Sequence, residues 1–229
     1  MTIFRLIDEP VFPHPEESEP DGLLAVGGDL SLERLLVAYS NGIFPWYCED
    51  SPILWWSPDP RLVLIPNELH VPRSLRRVIN GERFSITYDT SFEKVIENCA
   101  FTPRPDQEGS WILPEMRDAY LGLHRLGFAH SVEAWLDGEL VGGLYGIALG
   151  AVFFGESMFF QKPDASKVAF VHLVRKLQSK GIEIIDCQQT TDHLLRFGAR
   201  EIPRSEFLDI LSQCIHNKTW KGSWTEDQL

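Results

Sequence analysis

Apolar residues recur three and four positions apart in some stretches of this chain, and alternate or form short unbroken runs in others. Residues 31–40 have the helical spacing, with Asp29 or Ser31 as N-cap and Gly42 just beyond the end. Further helices are predicted over 72–79, closed by Gly81, and from a capping box at Thr90-Ser91-Phe92-Glu93 to about Asn98. Another lies between Pro114 and Gly127, with Met116, Tyr120, Leu123 and Leu126 as its apolar positions. Residues 168–180 carry Val168, Val171, Val174 and Leu177 on one side, and 205–215 form a last helix. Strands are predicted at 62–65, 84–88, 131–136, 140–147 and 151–154, with Asp137-Gly138 as a two-residue hairpin turn. Residues 192–202 read as a short helix, a glycine stop and a brief strand. With Pro10, Pro13, Pro15 and Pro20 close together, the stretch from Val11 to Gly28 is expected to resist regular structure. This order of elements predicts an α+β fold, a mixed sheet with helices packed on it.

Two apolar runs break into polar residues where a buried strand would not. In Gly181-Ile182-Glu183-Ile184-Ile185-Asp186-Cys187-Gln188-Gln189, strict alternation would place Asp186 and Gln188 on one face and Ile185 and Cys187 on the other. In Ala151-Val152-Phe153-Phe154-Gly155-Glu156-Ser157-Met158-Phe159-Phe160, the glycine suggests a bulge or a close backbone approach, and Glu156 needs a partner if it is buried. A strand end reaching solvent would account for the first run alone. If the two strands are neighbours, they make a pocket with a few convergent polar groups.

Composition narrows the classes. The 229 residues can bury a core as one domain or as a main domain with a small appendage. No apolar run reaches the roughly 20 residues of a membrane span, and the N-terminus turns acidic too soon for a secretory signal. The four cysteines are far apart and the histidines form no His-x-x-x-His pair, so neither a metal site nor a disulfide framework is expected, and a reducing cytosol is; separately, no cofactor is expected. A net charge of -12 disfavours indiscriminate binding to nucleic acid. That charge is uneven: residues 1–30 hold one arginine against seven acids, whereas 70–88 hold Arg73, Arg76, Arg77 and Arg83 against Glu82. Such a stripe is either a solvated helix face or a place to dock one phosphate backbone. The aromatic corner of Ile43-Phe44-Pro45-Trp46-Tyr47 and Leu54-Trp55-Trp56 is either a satellite core or a stacking platform.

The C-terminal part is similar to the core of GNAT acyltransferases, but their cofactor loop, Arg/Gln-x-x-Gly-x-Gly/Ala, has no match between Phe160 and Val168. Nearly end to end, the chain resembles the leucyl/phenylalanyl-tRNA-protein transferases. The resemblance rests on Asp21-Gly22-Leu23-Leu24-Ala25-Val26-Gly27-Gly28-Asp29-Leu30-Ser31, Gly42-Ile43-Phe44-Pro45-Trp46, Trp55-Trp56-Ser57-Pro58-Asp59-Pro60-Arg61, Gly155-Glu156-Ser157-Met158-Phe159 and Asp186-Cys187-Gln188, in that order. It implies a small N-terminal α/β domain over 1–65 and a GNAT-like catalytic domain over 66–229. It also implies a cytoplasmic, monomeric enzyme that moves Leu or Phe, and less well Met, from aminoacyl-tRNA to the N-terminal Arg or Lys of an acceptor protein, creating an N-degron. Carried over, Trp46 and Trp111, with Tyr39 and Tyr120 nearby, would hold the terminal adenosine. Glu156, Asp186 and Gln188 would form the polar centre. Phe153, Met158, Phe170 and Ile185 would line the amino-acid pocket, with Leu144 and Leu173 where the family has Met and Phe. A binding module without chemistry and an acyltransferase with another donor remain the alternatives.

An aminoacyl ester is already activated, so its aminolysis asks for positioning rather than a strong catalyst. An α-amine with a pKa of about 7.8 is roughly 14% neutral at neutral pH. The expectation is that Asp186 and Gln188 align and activate that amine, Asp186 by polarising Gln188 or by taking the proton through water. Glu156 would attract the acceptor's cationic end or order the strand backbone.

Overall fold

The computed structural model describes residues 3–102 and 112–225. Its first part is a four-stranded sheet of β1 (Phe4–Leu6), β2 (Leu23–Gly27), β3 (Phe44–Pro45) and β4 (Leu54–Trp56) in the order β1-β2-β4-β3, with helix α1 (Leu32–Ser40) between β2 and β3. Ser31 caps α1 by accepting from the Arg34 amide. Arg34 is fully buried and gathers the carbonyls of Ile7, Asp8 and Glu9, so it fastens the leading segment to the sheet. The stretch expected to resist regular structure thus contains β2. Prolines punctuate it only as far as Pro20, and Leu23–Gly27 pairs in parallel with β1 and antiparallel with β4.

The remaining elements are β5 (Arg61–Leu64), α2 (Arg73–Asn80), β6 (Ser85–Tyr88), α3 (Phe92–Phe101), α4 (Pro114–Arg125), β7 (Ala129–Leu136), β8 (Glu139–Leu149), β9 (Val152–Phe160), α5 (Ala165–Ser179), β10 (Ile184–Gln188), α6 (Asp192–Leu195), β11 (Arg200–Ile202) and α7 (Arg204–Cys214). They build a seven-stranded sheet in the order β11-β5-β10-β9-β8-β7-β6. Strand β5, which precedes the division expected near Ile65, is an inner strand of this second sheet. Within this second sheet, among the described residues, only the β9–β10 pair is parallel, and α5 supplies the long crossover that a parallel pair requires. One face of the sheet packs Leu62, Leu64, Leu144, Phe153 and Ile185 against α5 and α2. The other packs Val63, Tyr145, Phe154 and Ile184 against α1, α3, α4 and α7. The mixed sheet flanked by helices is the α+β architecture expected from the pattern.

Two local expectations are corrected. Residues 90–93 form no capping box: the Ser91 side chain caps nothing, and the Thr90 hydroxyl bonds instead to Glu133 of β7 and to Thr87 three residues before it. Strand β9 does not end at Phe154 but continues to Phe160 through a bulge, where Tyr145 pairs with Ser157 and Gly146 with Gly155, leaving Glu156 as the extra residue. Gly146 is required there, because a Cβ on it would lie 2.2 Å from the Phe154 carbonyl oxygen.

Candidate active site

Strands β9 and β10 pair only over Val152–Phe154 and Ile184–Asp186. Beyond that β9 bulges and β10 turns, so the two strands part, and a cavity of about 430 Å³ opens between them. Leu144, Met158, Phe170, Leu173 and Ile185 form its apolar wall, and Phe44, Pro45 and Trp46 bring in the edge of the first sheet. Five of the six residues expected to form the pocket therefore meet there. Phe153 does not reach the wall: it is fully buried beneath it, against Gly146 and the Trp224 ring.

The polar end of the cavity carries Glu156, Gln188 and Gln189. The bulge turns the Glu156 carboxyl toward Tyr39 and Tyr120, whose hydroxyls lie 2.8 Å from Oε1 and 2.7 Å from Oε2. The two hydroxyls are themselves 2.5 Å apart. Burial drives the Glu156 carboxyl up to about 7; its bonds with Tyr120 and Tyr39 oppose the rise and the Asp186 charge adds to it. Gln188 donates its Nε2 to Glu156 Oε1 at 3.2 Å, which leaves the amide oxygen as the end that can accept from an incoming amine.

Asp186 and Gln188 do not share a face. Asp186 has no exposed surface and makes a paired contact with Arg61, 2.8 Å from Nε to Oδ1 and 2.7 Å from Nη2 to Oδ2. The register then slips between Asp186 and Gln188, and Gln188 takes a left-handed φ of 63°. That slip swings its side chain to the cavity while its backbone N–H returns to Asp186 Oδ1 at 2.9 Å. Asp186 thus touches the backbone of Gln188 and not its amide group. Polarisation of that amide by Asp186, expected from alternation, is replaced by anchoring of the turn that presents it. Burial, with Asp186 beside it, pushes the thiol of Cys187, also on the wall, far up despite the opposing Arg61 charge, which disfavours the thiolate.

Tyr39 and Tyr120 are buried, at 1% and 0% exposure, so their rings cannot meet a nucleoside, and their place is behind Glu156. Trp46 does border the cavity, its ring 5.7 Å from that of Trp56. Trp55, by contrast, is core, packed on Phe12 with its indole N–H on the Gly27 carbonyl. Trp111 lies outside the described residues. Arg73, Arg76, Arg77 and Arg83 are all exposed on and just after α2, and among the described residues none takes part in an ion pair. The first turn of α5 packs closely against β8: a Cβ on Gly142 would lie 2.9 Å from the Ser166 nitrogen.

Arg61 was not expected in the site, although an arginine opening the apolar run Arg61-Leu62-Val63-Leu64 demands a buried carboxylate, and Asp186 was the buried one to find. His193, Thr191 and Leu194, on and before α6, also border the cavity and carried no distinguishing signal. Among the described residues, no helix is long and apolar enough to cross a membrane.

The family model described as leucyl/phenylalanyl-tRNA protein transferase matches residues 63–212, and the model for that family's N-terminal domain matches residues 28–59. The leucyl/phenylalanyl-tRNA--protein transferase of Anaeromyxobacter sp. (strain K) is 61% identical over 224 residues, covering 98% of this chain and 96% of its own. That of Maridesulfovibrio salexigens is 57% identical over 225 residues, covering 98% and 94%. A GCN5-related N-acetyltransferase from Kribbella flavida superposes with a TM-score of 0.38 at 11% identity, over 72% of this chain and 58% of that one.

Proposed function

The chain belongs to the leucyl/phenylalanyl-tRNA protein transferase family, and on that premise we propose that it moves Leu or Phe, and Met less well, from aminoacyl-tRNA to the N-terminal Arg or Lys of a protein, marking that protein for degradation. One observation carries the reading: an apolar slot, an aromatic edge and a hydrogen-bonding amide meet in one cavity. The amino-acid side chain enters between Leu144, Met158, Phe170, Leu173 and Ile185, and the terminal adenosine stacks at Trp46. The ester carbonyl then lies beside Gln188. The α2 arginines, with Arg83, meet the phosphate backbone and give a net acidic protein one attractive place for RNA.

The chemistry asks little beyond that placement. The neutral α-amine attacks the ester carbonyl, its C–N bond forms, the C–O bond to the ribose breaks, and the proton lost by nitrogen ends on the ribose hydroxyl. The Gln188 amide oxygen accepts from the amine and fixes its approach, which converts a bimolecular step into a positioned one. Because each methylene in an apolar slot is worth only about 1–3 kcal/mol, selectivity among Leu, Phe and Met is graded rather than absolute.

Mass spectrometry of an Arg-ended peptide incubated with the protein and Leu- or Phe-charged tRNA is expected to show one added residue, and none when the peptide's amine is acetylated. No mass gain from either donor would contradict the reading.

A further inference from the structure

The Tyr39 and Tyr120 hydroxyls and the Glu156 carboxyl close a triangle of three contacts whose protons can be counted. The contacts Tyr39 Oη to Tyr120 Oη at 2.5 Å, Tyr39 Oη to Oε1 at 2.8 Å and Tyr120 Oη to Oε2 at 2.7 Å are each of hydrogen-bond length, so each needs one proton between its oxygens. The two tyrosines bring one proton each. If both point at the carboxyl group, the phenolic oxygens confront each other at 2.5 Å with nothing between them. The third proton must come from the carboxyl itself.

We propose that Glu156 stands in this triangle as a neutral carboxylic acid, and that in this form it holds the Gln188 amide in its working orientation. The inference rests on the transfer reaction proposed above. With the acid proton on Oε2, the bonds run in one sense: Oε2 donates to Tyr120, Tyr120 to Tyr39, and Tyr39 to Oε1. Oε1 then accepts from Gln188 Nε2 as well. Every polar atom in the ring is satisfied, and no charge has to be stabilised between the inner faces of α1 and α4 and the sheet.

The surroundings agree with this state. The titratable groups facing Glu156 are Tyr39 from α1, Tyr120 from α4 and Asp186 from β10, the last with Arg61 of β5 already on it, and Tyr145 from β8 stands beside the two tyrosines. None of them is a cation free to pair with a Glu156 carboxylate. Burial accordingly pushes the carboxyl up to about 7, so the acid form gives way as the pH rises through that region. Glu156 is therefore a positioning residue, and the role of attracting the acceptor's cationic end does not fit it.

Substitution by glutamine imitates the acid form and substitution by alanine removes it. In Glu156→Gln the amide N–H donates to Tyr120 and the amide oxygen accepts from Tyr39 and Gln188, so the triangle survives. In Glu156→Ala the Gln188 Nε2 loses its acceptor. Transfer by Glu156→Gln is expected to exceed that by Glu156→Ala by about tenfold or more, the equivalent of one hydrogen bond. The ratio of Glu156→Gln to wild-type rate should also climb about threefold or more between pH 6 and pH 8.5, because the wild type alone loses its acid proton there, and the ratio cancels the titration of the amine. Infrared difference spectra of wild type against Glu156→Gln should show a protonated-carboxyl carbonyl band at pH 5.5 that is gone at pH 8.5. A folded Glu156→Gln variant no better than Glu156→Ala, a flat ratio, or no such band at pH 5.5 would each overturn the proposal. Failure of the wild type to transfer anything would instead remove the reaction, and the infrared band would still decide the state of the carboxyl.

Discussion

Asp186→Ala is expected to lose about 3–5 kcal/mol of folding stability, because it strips the partner from a fully buried guanidinium. Arg61 is 1% exposed, lies 5.0 Å from the centre of the Phe44 ring and 4.6 Å from that of Phe207, and already has Nη1 without a hydrogen bond. Without Asp186 it would have two more unpaired N–H groups in an apolar setting. Chemical denaturation measures the loss. A second variant separates stability from chemistry: replacing the pair together, Arg61→Met with Asp186→Leu, puts apolar volume where two charges were. Such replacements are commonly neutral or stabilising. Stability should return, and transfer should not, since the Gln188 backbone N–H has lost the carboxylate that held its turn. A fully active Asp186→Ala protein with wild-type stability would refute the anchoring role.

Removing the Gln188 side chain should do the opposite, sparing the fold and stopping the reaction. Gln188 is half-buried at the cavity and sits at a φ of 63°, a conformation that costs a residue other than glycine about 1 kcal/mol or more. Gln188→Gly therefore relieves backbone strain while it deletes the amide, and its thermal midpoint should equal or exceed that of wild type. Single-turnover transfer should fall about 100- to 1,000-fold, the range seen when one preorganised hydrogen-bonding group is removed from an acyl-transfer site. A Gln188→Gly rate within about threefold of wild type would take the amide out of the mechanism.

What could be read from the residues alone was local in origin. Helical spacing located α1, α4 and α7 to within a residue or two, and Asp137-Gly138 does turn β7 into β8. The polar break in each of two apolar runs pointed to the strands that part to form the cavity. Strands β1 and β3, only three and two residues long, carry too little alternation to be legible before their partners are known. The face shared by Asp186 and Gln188 failed for a different reason. Alternation assumes an unbroken strand, and a left-handed residue that is not glycine leaves no mark in the sequence. The helix α5 starts three residues before the first valine of its apolar stripe, because Asp164, at a φ of 69°, turns directly into it.

Long-range pairing was the least legible part. Arg61 and Asp186 are 125 residues apart, and Tyr39, Tyr120 and Glu156 come from three separate elements. The resemblance placed Tyr39 and Tyr120 beside the terminal adenosine, whereas their rings are buried and their hydroxyls lie on Glu156. A phenol is amphipathic, and only its burial tells a stacking ring from a hydroxyl that holds a carboxyl group.

The claim on which the rest depends is that the gap between β9 and β10 seats the aminoacyl ester with its carbonyl at Gln188. A crystal structure with phenylalanyl-adenosine joined by an amide in place of the labile ester tests it most directly. The phenyl ring should lie among Leu144, Phe170 and Ile185, the adenine against Trp46, and the carbonyl beside the Gln188 amide. Adenine at Trp46 with the phenyl group outside the gap, or the whole analogue bound elsewhere, would contradict it.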